Sequence, residues 1–253
     1  MGNSIKKFSG AHIKWLAIGL MLVDHIGCVI LEPLALQYGL SSSIDMYEKY
    51  RQIMNVDMVF RSLGRFSFPA FCFLLVEGFV HTRSRGKYLR NLAIFAVVSE
   101  IPFNLAVGRQ LFTTQYQNVF FTLAMGFFAI WIAEQLRIIM LQKGISEQLF
   151  SIIMAAEVCI LAIAAEILNT DYGAVGVWVI AIFYLLHQKP VLAAVMSWGV
   201  LSFMSSSLEI YCFPIILAIW CYNGKRGKQP KYFFYVFYPL HLLILVGIRM
   251  LIL

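Results

Sequence analysis

The stretch IKWLAIGLMLVDHIGCVIL, residues 13–31, decides the fold class of this chain. It has the length and apolar character of a membrane-crossing helix, which needs about 20 such residues. Yet Asp24 and His25 stand side by side within it. If Lys14 lies at the membrane surface, a rise of ~1.5 Å per residue places His25 roughly 16 Å deep, near the midplane. Ionisable side chains at that depth are costly, so the pair indicates a function.

The composition of the whole chain agrees with that first span. Of its 253 residues, 60% are hydrophobic and only 13% are charged, and the mean hydropathy is +0.78. A soluble domain has roughly 45–50% apolar and about 25% charged residues. The excess forms apolar runs of about 17–25 residues without polar alternation, so helices are expected and a barrel is not. The sequence therefore predicts an all-α polytopic membrane protein with a single transmembrane domain over residues 1–253.

About nine candidate spans follow one another along the chain. They are predicted at residues 13–31, 60–81, 89–107, 118–136, 148–168, 172–186, 191–204, 208–222 and from 232 to the C-terminus. The seventh and eighth are short and interrupted by polar residues, so a re-entrant hairpin over 191–222 is an alternative to two full spans. No small-residue cleavage site follows the first span, so we expect it to stay uncleaved.

Basic residues are concentrated at every second junction between the spans. Lysines precede the first span, and Lys and Arg fill the loops at about 82–89 and 223–231, whereas alternate junctions carry acidic residues such as Glu32 and Asp171. Cytoplasmic loops are enriched in Lys and Arg, so we expect a cytoplasmic N-terminus and an external C-terminus. The segment at about 33–58 is then an external loop. The net charge of +7 reflects this orientation and does not indicate nucleic-acid binding.

Three further spans place an ionisable side chain at a similar depth. Glu100 and His241 lie about ten residues inside the third and ninth spans, hence roughly 15 Å deep, and Glu157 lies near the middle of the fifth. Together with Asp24 and His25, they predict a polar chamber between helices. For Glu157 alone, helix packing is the simpler interpretation, because small residues surround it. The five cysteines have no metal-binding or redox spacing, and no metal site is expected.

Five stretches of the chain resemble a known family. They are IKWLAIGLMLVDHIG in the first span, LGRFSFPAFCFLLVEGFVHTRSRGKYLRNL around the second, SEIPFNLA in the third, NVFFTLAMG at the start of the fourth and FFYVFYPLHLLIL near the C-terminus. With them the chain resembles the TraX family, whose founding member acetylates the N-terminus of conjugative pilin. The resemblance implies a multi-pass protein of the bacterial cytoplasmic membrane that transfers acetyl groups from acetyl-CoA to an amine or hydroxyl.

Acetyl transfer would give the ionisable residues specific roles. A base must take the acceptor's proton, and His25 fits this role with Asp24 or Glu100 as the orienting group, while His241 is the rival base. Candidates for oxyanion stabilisation or acceptor binding are Arg65, Glu77, Asn104 and Asn118. Candidates for binding the phosphates of acetyl-CoA on the inner side are His81, Arg83, Arg85 and Lys87.

Two other classes of function stay open. A proton-coupled transporter also places His, Glu and Asp at the midplane, and thioester turnover would distinguish an acetyltransferase from it. A non-catalytic assembly factor of a pilus or conjugation machine would tolerate substitution of His25 and Glu100. The expected partners are membrane lipids, acetyl-CoA and an acceptor peptide or small molecule, without nucleic acid. The acceptor and the oligomeric state are not determined by the sequence.

Overall fold

The computed structural model describes residues 7–39, 43–230 and 233–253, and the regular elements of these residues are helical. The α-helices in these ranges are α1 (Gly10–Ile26), α2 (Glu32–Gly39), α3 (Ile44–Gly64), α4 (Ser67–His81), α5 (Arg85–Phe103), α6 (Val119–Gln142), α7 (Glu147–Ile167), α8 (Gly173–Leu185), α9 (Pro190–Met204), α10 (Pro214–Trp220) and α11 (Phe233–Ile252). Two π-helical turns, Gly27–Leu31 and Asn104–Gly108, follow α1 and α5, and a 3₁₀ helix, Ser207–Cys212, precedes α10. The predicted all-α fold is confirmed.

Six helical segments of the described chain are long and apolar enough to cross a membrane. They are Gly10–Gly39, Ile44–His81, Arg85–Gly108, Val119–Gln142, Glu147–Ile167 and Phe233–Ile252. They overlap the first five predicted spans and the ninth, and the second begins sixteen residues before the predicted start at residue 60. Residue 231 of the predicted basic loop and residue 232 of the ninth span lie outside the described residues. This length and composition support a multi-pass membrane protein.

The count of nine full spans is not confirmed, because the sixth, seventh and eighth predicted spans form shorter helices. The α8 and α9 helices have 13 and 15 residues, and α10 has seven. At ~1.5 Å per residue, α8 is roughly 20 Å long, which is less than the ~30 Å of a hydrocarbon layer. Apolar character had predicted these segments correctly as helices but could not give their depth in the membrane.

The segment predicted as an external loop, 33–58, contains helix instead of irregular chain. It includes most of α2 and 15 of the 21 residues of α3, and α3 packs against both α1 and α2. The first turns of α3 carry charged residues, so no apolar run marks the helix in the sequence. A turn at Arg65 and Phe66 separates α3 from α4, and the last turn of α3 places Arg61 against α1.

The core forms around α8, which packs against α4, α6, α7 and α9. Phe79, Phe127 and Phe183 are fully buried there, and the rings of Phe79 and Phe127 meet edge to face at 5.2 Å. The α7 helix is less buried than this core, because large apolar side chains such as Ile160 and Ile167 are mostly exposed. A wide apolar outer surface is what a lipid environment requires.

Candidate functional site

Asp24 is the centre of an ion-pair network between helices. Its Oδ2 accepts a hydrogen bond from Nη1 of Arg61 at 2.7 Å, and its Oδ1 accepts one from Nη2 of Arg65 at 2.5 Å. The Nη1 of Arg65 also donates to Oε1 of Glu209 at 3.1 Å and to the Tyr172 hydroxyl at 3.4 Å. The network therefore ties α1 to α3 and to the 3₁₀ helix that precedes α10.

Gly64 makes this close packing possible. A Cβ atom at this position would collide with the side chain of Asp24. Only glycine lets the end of α3 approach α1 closely enough for both guanidinium groups to reach one carboxylate.

His25 faces α11, on another side of α1. Its Nδ1 lies 2.6 Å from Nε2 of His241, whose own Nδ1 lies 2.8 Å from the carbonyl oxygen of Phe237. A carbonyl oxygen only accepts hydrogen bonds, so Nδ1 of His241 carries a proton, and its Nε2 accepts from Nδ1 of His25 when both rings are neutral. The tautomers assigned in this way leave Nε2 of His25 with a free lone pair.

The side chain in hydrogen-bond contact with His25 is thus His241, whereas Asp24 and Glu100, the groups expected to orient it, bond to other residues. Asp24 is occupied by two guanidinium groups, and the side chain of Glu100 on α5 points to the start of α6, where its Oε2 accepts from Nδ2 of Asn118 at 2.5 Å. Asn118 in turn caps α6 by accepting from the backbone N–H of Phe120. Glu100 and Asn118 therefore hold helix ends together, away from the imidazoles.

A cavity of about 130 Å³ lies beside these groups, and we call it the histidine cavity. The polar side chains that line it are Asp24, His25, Cys28, Arg61, Arg65, Ser67, Tyr116, Asp171, Tyr172 and Tyr238. Asp171, in the connection between α7 and α8, accepts a hydrogen bond from the Tyr116 hydroxyl. Burial raises the pKa of the Asp171 carboxyl, and this hydrogen bond counteracts part of the rise.

A larger cavity of about 610 Å³, the basic cavity, lies at the beginning of α1. The basic side chains that line it are Lys14, His81, Arg83, Lys87 and Arg226, and Glu77 adds a carboxyl group. Backbone hydrogen bonds fix its outer wall, since the N–H groups of Gly10 and Ala11 donate to the carbonyl oxygens of Lys225 and Arg226, each at 2.8 Å. The chain that follows α10 is thereby held against α1.

The predicted donor-binding residues mostly meet in the basic cavity. His81, Arg83 and Lys87 line it, whereas Arg85 is paired with Glu134 at 3.4 Å and lies over the ring of Phe79. Glu77, a candidate for acceptor binding, also lies here and accepts a hydrogen bond from the Tyr222 hydroxyl at 2.7 Å, whereas Arg65 lines the other cavity.

Several residues of the two cavities were not assigned a site role from the sequence. Lys14 is interpreted from the sequence only as a charge at the membrane surface, and Asp171 only as an acidic residue at a junction between spans. Conversely, Asn104 is buried outside the lining of both cavities, and Glu157 lies on α7 with both carboxylate oxygens unpartnered among the described residues. Fewer residues therefore line the cavity than the sequence places at matching depth.

The wall between the two cavities includes neighbouring residues of α4 and α11. On α4, Phe71 lines the histidine cavity and Leu74 lines the basic cavity. On α11, Tyr238 lines the histidine cavity and Tyr235 lines the basic cavity. Each pair is three residues apart, which corresponds to roughly 4.5 Å along a helix.

These features define a helical, multi-pass membrane protein with an ionisable site between its helices. The model of the family described as TraX protein matches residues 9–249, and the chain therefore belongs to the TraX family. The probable fimbrial assembly protein FimC, serogroup H1, of Dichelobacter nodosus is 27% identical to it over 265 residues, covering 96% of each chain. No solved structure matches this chain. The resemblance seen in the sequence is confirmed at the level of the family.

Proposed function

We propose that the protein is a membrane acetyltransferase that moves an acetyl group from acetyl-CoA to an amine or hydroxyl acceptor. The observation that carries this proposal is the His25–His241 pair. It leaves one imidazole nitrogen with a lone pair in a residue that lines a cavity, and a second ring, anchored to a carbonyl oxygen, fixes the orientation of the first. A base oriented by a third group is the arrangement that activates a nucleophile in acyl transfer.

In the proposed reaction, Nε2 of His25 takes a proton from the acceptor as its nitrogen or oxygen attacks the thioester carbon. The C–S bond then breaks, and the CoA sulfur leaves with the bonding electrons and receives the proton from His25. The imidazolium that forms between these steps keeps its Nδ1–H bond to His241. No oxidant, metal or second co-substrate is needed for this balance.

The basic cavity is the proposed binding site for the donor. Its volume lies within the ~300–1,000 Å³ of small-molecule sites, and Lys14, Arg83, Lys87 and Arg226 supply cations for phosphate groups. The positive-inside preference would orient this cavity toward the cytosol, where acetyl-CoA is made. The thioester arm would reach His25 by passing the wall that α4 and α11 form between the two cavities.

The acceptor is proposed to enter the histidine cavity from the opposite side or laterally from lipid. The name of the FimC relative makes a pilus subunit the first acceptor to test. The same name favours a second candidate function, in which the protein assists pilus assembly without catalysis. The two candidates differ in whether the chain consumes acetyl-CoA.

The deciding experiment incubates membranes that contain the protein with isotope-labelled acetyl-CoA and identifies acetylated products by mass spectrometry. We expect His25→Ala to lower transfer by about 10²–10⁴-fold, the range for loss of a general base. The matched control is His187→Ala, since His187 follows α8 outside both cavities and should leave transfer unchanged.

Transfer that survives in His25→Ala would reject His25 as the base. Absence of transfer by the unaltered protein, together with pilus assembly that tolerates His25→Ala, would replace the enzyme with an assembly factor. Substrate uptake into vesicles without acetyl-CoA turnover would instead support a transporter.

A further inference from the structure

The acetyl transfer proposed above needs a hydrogen-bond donor for the carbonyl oxygen, and the residues expected in this role are occupied elsewhere. Arg65 donates through Nε, Nη1 and Nη2 to Arg61, Glu209 and Asp24. Asn118 donates to Glu100 and to the carbonyl oxygen of Ala96. Asn104 lies outside the cavity. The oxyanion of a tetrahedral intermediate would therefore need a donor that the sequence did not indicate.

Four side-chain hydroxyl groups line the histidine cavity, and three are engaged with protein partners. Ser67 donates to the carbonyl oxygen of Ala17 at 2.9 Å. Tyr116 donates to Asp171, and Tyr172 lies against Arg65 in the ion-pair network. The fourth belongs to Tyr238 and has no hydrogen-bond partner among the described residues.

Tyr238 is held in place by its ring. The side chain is 4% exposed, and its ring meets that of Phe120 edge to face at 5.1 Å. It also stands edge to face with His25 at 6.0 Å, and it lies one turn before His241 on α11. Because Tyr238 lines the histidine cavity, its hydroxyl is available to a group bound beside the candidate base.

Tyr238 also stands at the wall between the two cavities. It lines the histidine cavity, and Tyr235, three residues earlier, lines the basic cavity. A thioester that crosses this wall toward His25 would present its carbonyl oxygen near the phenol.

We propose that the Tyr238 hydroxyl donates a hydrogen bond to the carbonyl oxygen of the thioester and stabilises the oxyanion. This role rests on the proposed function. As the acceptor atom bonds to the carbonyl carbon, the C=O electron pair moves to oxygen and is stabilised by the phenol, which keeps its proton. The electron pair then returns, the C–S bond breaks, and the proton held by His25 goes to the departing sulfur.

The test is Tyr238→Phe, which removes one oxygen and keeps the ring. Purified protein in detergent is supplied with acetyl-CoA and a synthetic peptide that has a free N-terminal amine, and released CoA is measured with a thiol reagent. We expect kcat to fall by about 10²–10³-fold, as for loss of one oxyanion donor, with an unchanged KM for acetyl-CoA. Tyr184→Phe is the control, because Tyr184 donates to Glu134 outside both cavities.

Thermal unfolding separates this role from a structural one. Removal of an unpartnered hydroxyl should leave the melting temperature of Tyr238→Phe unchanged or slightly raised, whereas loss of a structural hydrogen bond would lower it. A variant with unchanged kcat, or with a raised KM alone, would overturn the role of Tyr238 while transfer by the unaltered protein upholds the proposed function. Absence of transfer by the unaltered protein under all acceptors would overturn both.

Discussion

Replacement of Arg65 by Met tests the ion-pair network independently of catalysis. Met keeps an unbranched apolar stem but removes the guanidinium that contacts Asp24, Glu209 and Tyr172. Asp24 would retain its bond to Arg61 at 2.7 Å. Glu209, which is only 1% exposed and already has an unpartnered Oε2, would lose the only cation that bonds it in the described chain.

The loss of unfolding free energy in Arg65→Met should therefore come mainly from Glu209, because Asp24 keeps a cationic partner and Glu209 does not. Breaking a buried ion pair from one side costs about 3–5 kcal/mol, because the remaining charge is left buried and unpaired. Arg61→Met is the matched control and should cost less than about 2 kcal/mol, since Asp24 keeps Arg65 and the side chain of Glu32 is 41% exposed to solvent. Addition of Glu209→Gln to Arg65→Met should recover about 1–3 kcal/mol by removing the stranded charge.

Thermal unfolding in one detergent, followed by tryptophan fluorescence, measures these differences. A shift of roughly 2–4 °C per kcal/mol for a chain of this size gives a melting temperature about 6–20 °C lower for Arg65→Met. Equal shifts for the Arg65 and Arg61 variants would refute the reasoning. So would a double variant less stable than Arg65→Met alone, because Glu209 would then not be the stranded group.

Two further predictions concern close packing and access to the histidine cavity. Gly64→Ala should lower both the melting temperature and the rate of acetyl transfer, because the new Cβ displaces Asp24. Gly19→Ala is the control, since its new Cβ meets open space, and it should leave transfer unchanged and raise the free energy of unfolding by at most about 1 kcal/mol. Equal effects of the two substitutions would contradict the close contact between Gly64 and Asp24. A small methanethiosulfonate reagent should modify Cys28, which lines the cavity, faster than the fully buried Cys72, as measured by peptide mass spectrometry, and equal rates would count against an accessible cavity.

The sequence was sufficient for the helices that carry an apolar run. It placed α1, α4, α5, α6, α7 and α11 close to their observed positions. The α3 helix was missed because charged residues such as Asp45 and Arg51 interrupt any apolar run at its beginning, although its last turn supplies Arg61 of the network and Arg65 follows directly after it. Helix propensity and packing against α1 can form a helix there without a hydropathy signal.

Depth along the helix was an incomplete guide to the site. His25 and His241 were predicted at similar depth, and their rings are in contact although 216 positions separate them in the chain. Glu100 was predicted at the same depth but points toward the start of α6. Depth fixes one coordinate, whereas the direction around the helix axis depends on which neighbour packs against each face, and a single sequence does not supply that.

The same geometry explains why a carboxylate and an imidazole are adjacent in the first span. Consecutive residues of an α-helix point about 100° apart, so Asp24 faces α3 while His25 faces α11. Two guanidinium groups on one carboxylate fix the rotation of α1 about its own axis, and this rotation in turn directs the imidazole toward its partner ring. Asp24 therefore positions His25 without touching it, which separates the electrostatic anchor of the helix from the group proposed to move the proton.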